Sequence, residues 1–298
     1  MTTMSPRELW LRFETYHDVT YFTPESRAVT DELGCRGGWM GYFGMRAAPL
    51  GAAAPETVTA AFFSFHPRKV ARALPAAWEV ASPEVFLRAR LRGVDRALRR
   101  MLPAAGDGAD GALAVDGEVV AEAAGLAVRA AAAAPLEGRV LGAANAALPV
   151  PEEPHLALWQ ACTTLRELRG DGHLAALVAA GLTACETLVL FGADKGLDPQ
   201  YLRTARGWDE DEWRAAEASL AARGLHGDGG ITPAGRALRE DVERRTDEAA
   251  ARPWQSLGEA GAARFLELMT PIALALGRRN DAMRPNPMAL DPVGELTA

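Results

Sequence analysis

The stretch LAARGLHGDGGITPAGR, residues 220–236, decides the fold of the C-terminal half of the chain. Gly224 follows an apolar-patterned segment and suits the left-handed position that ends a helix. Leu225-His226 and Ile231-Thr232 are short pairs compatible with β-strands, and the four residues 227–230 between them, three of them glycine, form a turn sequence. The stretch therefore predicts a small hairpin between two helices.

The segments on either side of this hairpin predict further helices. Upstream we expect helices at Ala184–Ala193, Asp198–Ala205 and Asp209–Arg223, the third capped by the Asp209 carboxylate. Downstream, Thr232-Pro233 starts a helix that runs to about Ala251. Helix, helix, helix, hairpin, helix is the order of a winged helix, predicted here for residues 182–251.

On these residues the segment resembles the MarR-type transcriptional regulators. The resemblance is carried by Leu220–Leu225 before the hairpin and Ile231–Arg236 after it. It implies a dimeric DNA-binding regulator with a small-molecule effector, and the residues available for DNA contact would be Arg203, Arg206 and Arg214. The whole chain also resembles an actinobacterial family of alanine-rich helix-turn-helix proteins, a resemblance that implies no particular activity.

The negative charge of this segment argues against DNA binding. The third helix, which would enter the DNA groove, begins with four carboxylates, Asp209-Glu210-Asp211-Glu212. Residues 182–251 hold 14 acidic and 9 basic side chains, and the turn 227–230 is short and acidic. A protein that binds double-stranded DNA needs several phosphate contacts from cations or helix N-termini. We therefore expect DNA to be a disfavoured partner.

The remainder of the chain is predicted to be mostly helical. The N-terminal region is expected to be a multi-helix array, with a divergent winged-helix-like arrangement left open. Thr57–Phe65, β-branched and aromatic in part, indicates a strand, and Pro103–Ala114 a loop. The predicted helices are Pro6–Tyr21, Pro24 to near Gly34, Gly38–Arg46, Pro67–Leu74, Pro83–Leu102, Asp116–Ala134 and Pro154–Leu182.

A proline-rich linker, Ala147–Pro154, marks the predicted boundary between two parts of the chain. The first part, residues 1–148, is the N-terminal helical region. The second part, residues 155–280, is a helical and winged-helix domain. Residues 281–298 are expected to be a loosely ordered tail.

The amino-acid composition limits the classes of protein to which the chain could belong. The chain has 298 residues, a net charge of −7 and three cysteines in no metal or redox spacing, which favours a cytoplasmic protein with reduced core thiols. The negative charge argues against nonspecific binding to nucleic acid or anionic membrane. The longest apolar stretches are too short to predict a membrane span, so no membrane partner is expected.

A polar stripe on the first helix is one candidate for a functional site. Trp10, Glu14, His17 and Tyr21 are spaced by four, three and four residues and share a helical face. Glu14 and His17 match half of a carboxylate-bridged di-metal motif. The second half is missing, so no metal and no cofactor is predicted. A buried pair that satisfies itself is the simpler interpretation.

A second polar stripe lies on the helix after the linker. Trp159, Thr163, Arg166 and His173 share one face, and Arg169 lies beside them. Two arginines and a histidine could receive the carboxylate or phosphate of a ligand, because guanidinium presents a planar fork of donors. An internal ion-pair network with Glu14, Glu167 or Asp171 is the alternative.

These stripes and the aromatic residues near Trp39, Tyr42 and Arg46 lead to one hypothesis with two alternatives. We expect an internal pocket on a reused winged-helix scaffold, binding a small anionic or aromatic molecule. One alternative is the ligand-responsive DNA-binding regulator, with a homodimer left open. The other is an enzyme using Glu14, His17 and His173 for acid–base chemistry. The sequence contains no nucleophile-elbow, HExxH or phosphate-loop motif to favour it.

Overall fold

The computed structural model describes residues 5–103, 114–115, 117–284 and 286–297, and these residues are mostly helical. The predicted loop at Pro103–Ala114 falls outside this part of the chain, apart from its two ends. The first half contains helices α1 (Pro6–His17), α2 (Val19–Phe22), α3 (Pro24–Glu32), α4 (Gly37–Ala47), α5 (Pro55–Phe62), α6 (Pro67–Ala73), α7 (Ala76–Val80), α8 (Pro83–Met101), α9 (Glu118–Ala132) and α10 (Val140–Ala146).

The second half contains the predicted hairpin and the helices around it. These elements are α11 (Pro154–Ala179), α12 (Ala184–Lys195), α13 (Pro199–Arg206), α14 (Glu210–Ala222), β1 (His226–Gly227), β2 (Gly230–Ile231), α15 (Pro233–Ala250), α16 (Arg252–Gln255), α17 (Gly258–Arg279) and α18 (Pro292–Thr297). The mostly helical fold with a small antiparallel hairpin is therefore confirmed. We call residues 184–250 the winged-helix unit.

The winged-helix unit forms for the reasons that its sequence indicated. Asp209 caps α14 through a capping box, in which Glu212 N donates to Asp209 Oδ1 and Asp209 N donates to the Glu212 carboxylate. Gly224 adopts φ +70°, the left-handed conformation expected after α14. The hairpin pairs His226 with Ile231 and Gly227 with Gly230, so its strands are one residue further inward than predicted.

The predicted strand at Thr57–Phe65 is wrong, because α5 occupies most of it. Pro55 is preset for a first helical turn, and Ala60-Ala61 are strong helix formers. Val58 and Phe62, four residues apart, are buried on one face of this helix. Phe63, the residue after α5, adopts φ +45°, a conformation that a bulky side chain rarely takes. The hairpin of a second winged helix is also missing from the described residues before 149.

The largest hydrophobic cluster takes side chains from both sides of the predicted boundary. Phe13 and Leu98 from the first part pack with Trp159 and Leu165 of α11, and with Phe265 of α17. A second cluster joins α4, α5, α7 and α8, and a third lies inside the winged-helix unit. The boundary near residues 148–154 stays a prediction. The tail carries α18 and buries Leu290 against Leu11, and the expectation that it is loosely ordered stays a prediction.

Helix α17 has the length and apolar composition of a membrane span, with a mean hydropathy of 1.2 over its most apolar window. Of that window, 39% is buried inside the molecule, against helices α1 and α9 among others. A core helix of a soluble protein meets the same criteria. The expected absence of a membrane partner therefore stays a prediction.

Candidate functional site

The two polar stripes face each other, because α1 packs directly on α11. Arg166 Nε donates to Glu14 Oε1 at 3.2 Å, and His17 Nδ1 lies 2.9 Å from Thr163 Oγ1. Trp159 Nε1 donates to the carbonyl oxygen of His17 at 3.1 Å. Helical periodicity placed each stripe on one face, but only the crossing of the two helices brings these faces together.

Glu167, on α11, binds two arginines, of which Arg46 is buried and Arg166 is partly buried. Arg46 of α4 donates from Nε and an NH2 group to both carboxylate oxygens, at 3.0 and 3.1 Å. Arg166 donates to Glu167 Oε2 at 2.8 Å. Burial alone would raise the pKa of Glu167, but the charges of Arg166 and Arg46 hold this pKa well below its usual value. Glu167 is therefore a permanent anion that neutralises part of a cationic cluster.

The carboxylate and imidazole of the first stripe are occupied by neighbours. Glu14 Oε2 accepts from Trp10 Nε1 at 3.0 Å, and its other oxygen accepts from Arg166. His17 is fully buried, and burial together with the charge of Arg166 lowers its pKa well below the usual value. No three His, Cys, Asp or Glu side chains among the described residues come close enough to hold a metal ion.

A cavity of about 470 Å³ lies between the N-terminal helices and the winged-helix unit; we call it the aromatic cavity. Its walls include five aromatic side chains from α4, α5 and the segment that follows α5, and one from α2. Trp39, 41% exposed, lies at its edge. The aromatic residues are Tyr21, Trp39, Tyr42, Phe62, Phe63 and Phe65. Six predicted site residues line this cavity: Tyr21, Trp39, Tyr42, Arg46, Arg166 and His173.

A second cavity of about 420 Å³ lies beside the first and has mostly charged walls; we call it the polar cavity. The predicted residues Trp10, Glu14 and Arg169 line it, and Arg166 and His173 line both cavities. The predicted residues His17, Trp159 and Thr163 line neither cavity and belong to the packed contact between α1 and α11. Arg169 donates to Glu243 and Asp247 at 3.0 and 2.9 Å, two partners that the sequence did not suggest, whereas Arg166 pairs with Glu14 and Glu167 as the internal-network alternative expected.

Arg206, the last residue of α13, is a wall residue that sequence reasoning assigned only to DNA. Its guanidinium lies 4.6 Å from the ring centroid of Phe65, and its Nε is buried without a hydrogen-bond partner. No carboxylate among the described residues forms an ion pair with it. Burial lowers the pKa of Arg206, and the charges of Arg46 and Arg166 lower it further. A cation in this position favours an anion in the cavity.

The segment Phe63–Lys69 connects the aromatic cavity to the winged-helix unit. Its first three residues line the cavity, and His66, Arg68 and Lys69 contact the end of α13 and the start of α14. His66 N donates to Arg206 O at 2.9 Å, and Ser64 O accepts from Trp208 Nε1 at 3.0 Å. No sequence pattern links these residues, which are more than 130 positions apart.

The carboxylates at the start of α14 hold the same segment. His66 Nδ1 accepts from Arg68 N, so Nε2 carries the proton that it donates to Glu212 Oε1 at 2.9 Å. Arg68 donates to Asp209 and Glu212 at 3.0 and 2.9 Å. Part of the acidic run at the start of α14 therefore has an intramolecular role.

The remaining DNA candidates lie close to this acidic run. Arg214 is paired with Glu210 and Asp211 of its own helix. Arg203 NH1 lies 3.9 Å from Glu210 Oε2. These pairings leave fewer free cations for phosphate at the face that a winged helix would present to DNA.

His173 contributes a hydrogen-bond acceptor to both cavities. Thr246 Oγ1 donates to Val242 O, so it accepts from His173 Nδ1, 2.9 Å away, and Nε2 of the ring carries no proton. Burial lowers the pKa of His173 to about 4, although the charge of Glu243 opposes this shift. Asp171, on the same helix, accepts from Gly142 N at 2.8 Å, and burial raises its pKa to about 6.

The element order and the packing of residues 184–250 define a helix-turn-helix protein of winged-helix type. A helix-turn-helix family model matches residues 6–283, nearly the whole sequence, and the chain belongs to that family. Comparison with curated proteins and with solved structures gave no significant match.

Replacing Glu167 with glutamine should destabilise the fold by about 3–5 kcal/mol, because the buried Arg46 then loses its carboxylate partner and Arg166 keeps only Glu14. Urea unfolding of the wild type and the variant measures this difference. Glu137→Gln, at an exposed position, is the control and should change the free energy of unfolding by less than about 0.5 kcal/mol. A loss below about 1 kcal/mol for Glu167→Gln would contradict the proposed role of the cluster.

His173 should make the fold sensitive to acid. A histidine whose folded pKa is about 4 stabilises the fold above its unfolded pKa of about 6.5, and this contribution is lost as the pH falls through that interval. The advantage of the wild type over His173→Asn should therefore shrink by up to about 3 kcal/mol between pH 7 and pH 4, as measured by urea unfolding.

The variant Asp171→Asn should show the opposite pH dependence of stability relative to the wild type. The folded pKa of Asp171 is raised, so its contribution is complete below about pH 3.8 and is lost as the pH rises through about 6. The advantage of the wild type over this variant should therefore grow towards low pH. If the two variants show the same pH dependence relative to the wild type, the assigned environments of these side chains are wrong.

Proposed function

We propose that this chain is a small-molecule-binding protein built on a helix-turn-helix scaffold, and that the aromatic cavity binds an aromatic anion. The observation that carries the proposal is Arg206, a cation without a carboxylate partner among the described residues, in the wall of a cavity with aromatic sides. A cavity of this volume is in the range that holds small organic ligands.

The aromatic walls support a planar ring as one part of the ligand. Trp39, Tyr42 and Phe65 contact one another with ring centroids 5.4–5.8 Å apart, in tilted and edge-on arrangements. Such a set of rings presents both faces and edges, and a further aromatic ring can pack against either. The sequence suggested this aromatic wall.

The balance of charge supports an anionic group as the other part. Arg46 and Arg166 share the Glu167 carboxylate, and Asp171 is occupied by a backbone amide. Arg206 lacks a comparable partner, and its two neighbouring arginines disfavour its charge. A carboxylate next to Arg206 would relieve this repulsion and form charge-assisted hydrogen bonds.

A MarR-like, ligand-responsive DNA-binding regulator is the second candidate, and the helix-turn-helix family favours it. The acidic start of α14 and its contacts with His66 and Arg68 argue against it. Acid–base catalysis has the least support, since Glu14 and His17 are held by neighbouring side chains. The buried free thiols of Cys35, Cys162 and Cys185 are consistent with a cytoplasmic location, which remains part of the proposal together with a homodimer.

Benzoate, 4-hydroxybenzoate and indole-3-acetate, screened by thermal shift, should include at least one compound that raises the melting temperature, because a ligand that binds only the folded state stabilises it. Benzamide, the neutral analogue, should have a smaller effect. Arg206→Gln should weaken binding of the best anion at least tenfold in calorimetry, the loss of one charged hydrogen bond of about 1.5–3 kcal/mol.

Arg203→Gln is the matched control, because Arg203 lies on the same helix but does not line the aromatic cavity. It should bind the anion as the wild type does. Equal binding of benzamide and benzoate, or wild-type affinity in Arg206→Gln, would remove the anionic part of the proposal. No stabilisation by any compound of the panel would count against the proposal as a whole.

The regulator alternative is tested with labelled DNA from the region upstream of the chain's own gene and a shuffled duplex of equal length, at 50 and 200 mM salt. We expect no preference for the upstream duplex, since exposed carboxylates at the start of α14 repel phosphate. A tenfold preference that falls in Arg203→Gln and Arg214→Gln would instead establish the regulator and overturn our electrostatic argument.

A further inference from the structure

The aromatic and polar cavities meet along one side of α11. Arg166, Gly170 and His173 line both, and so do Thr187 of α12 and Met288 of the tail. The two spaces are therefore neighbours on a common wall, and Gly170 is the smallest residue in that wall. The size of this residue determines how much room remains where the cavities meet.

Gly170 has no evident packing reason to be glycine. It lies in the interior of a 26-residue helix, where glycine is the poorest helix former apart from proline. A Cβ added at Gly170 would meet only Glu167 Oε2 at 3.7 Å and an Arg166 nitrogen at 3.8 Å, which are ordinary contacts. At Gly172 on the same helix, a Cβ would lie 2.6 Å from an Arg139 nitrogen and 3.2 Å from Ala249 Cβ, so a neighbouring side chain would have to move.

We infer that the aromatic and polar cavities are two halves of one elongated site, kept continuous by the missing side chain of Gly170. The ligand is then an aromatic carboxylate that carries a polar chain, and this chain passes Gly170 into the polar cavity. This inference rests on the proposed function and adds to it the length and the amphipathic character of the ligand.

The walls of the polar cavity match the far end of such a chain. Arg7, Arg169 and Arg239 supply donors there, and Asp194 and Glu243 supply acceptors. These cations and anions are largely paired with one another, as in Arg169–Glu243 and Arg239–Asp194. A neutral hydroxyl or amide can join such a network without leaving a charge unpaired, so the chain ends in a hydrogen-bonding group rather than a second carboxylate.

The experiment compares two probes that share a head group and differ in length. These are 4-hydroxybenzoate and 4-(6-hydroxyhexyloxy)benzoate, each titrated by calorimetry into the wild-type chain. The long probe should bind at least tenfold more tightly. Gly170→Leu, which fills the junction, should abolish this advantage while the affinity for the short probe changes less than threefold.

Two control variants separate the junction from general effects on α11. Gly170→Ala adds one methyl group and should reduce the advantage of the long probe only in part, with a melting temperature at or above that of the wild type. Ala175→Leu places the same leucine at an exposed position of α11 and should bind both probes as the wild type does. Circular dichroism checks that each variant is folded.

The outcomes distinguish this inference from the proposed function. If the wild type binds the short probe and the long probe has no advantage, the continuous site is refuted and the aromatic site stands. The continuous site is also refuted if the Gly170→Leu variant is folded and binds the short probe but still binds the long probe more tightly. If neither probe binds the wild type, the inference fails, and the proposed function fails with it only if benzoate and indole-3-acetate also give no stabilisation.

Discussion

The carboxylate of Glu167 is the interaction on which the arrangement of the site depends. It binds Arg46 of α4 and Arg166 of α11, and Arg166 in turn binds Glu14 of α1. Three helices that are distant in sequence are thus joined by charges that are almost completely buried. Such a network is costly to desolvate, and removing one member leaves the others without compensation. The wall between the N-terminal helices and α11 is therefore fixed by electrostatics as well as by packing.

The same network supports the proposal that the aromatic cavity binds a negative ligand. Glu167 neutralises only part of the positive charge that surrounds it, because Arg166 and Arg46 share its two oxygens while Arg206 lies nearby without a comparable partner. Arg90, also buried, donates to Met45 O, and burial lowers its pKa to about 10. Arg90 and Arg206 thus form no ion pair with a carboxylate among the described residues, although both lie near the tyrosines of the cavity wall.

Local patterns in the sequence predicted most of the helices but only part of the site. Proline after Ser, Thr or Asp placed helix starts correctly, and four-three spacing identified the stripes containing Glu14 and Arg166. The same reasoning failed at Thr57–Phe65, where Pro55 and the alanines outweigh the β-branched residues. It also missed Arg90, which interrupts the apolar face of α8 and is nonetheless buried. Local propensity describes one element at a time and cannot show which element will cover it.

Arg206 is a clearer example of what local sequence patterns cannot predict. Its position at the end of α13 made it a DNA candidate, because a winged helix would present that region to a duplex. Its actual environment is set by Phe65 and by the backbone of His66, which arrive from the other half of the chain. No periodicity or motif relates residues 140 positions apart, so a long-range contact of this kind is visible only in the folded chain.

The acidic start of α14 gains its physical explanation from this same contact. Asp209 and Glu212 satisfy the free amides of the first turn and interact favourably with the helix dipole. The same two carboxylates also accept hydrogen bonds from His66 and Arg68. The segment that contains these two residues begins with Phe63 and Phe65, which line the aromatic cavity. One short piece of chain therefore forms part of the aromatic cavity and also covers part of the turn before α14. A duplex at that turn would have to displace this segment, and with it three side chains that shape the aromatic cavity.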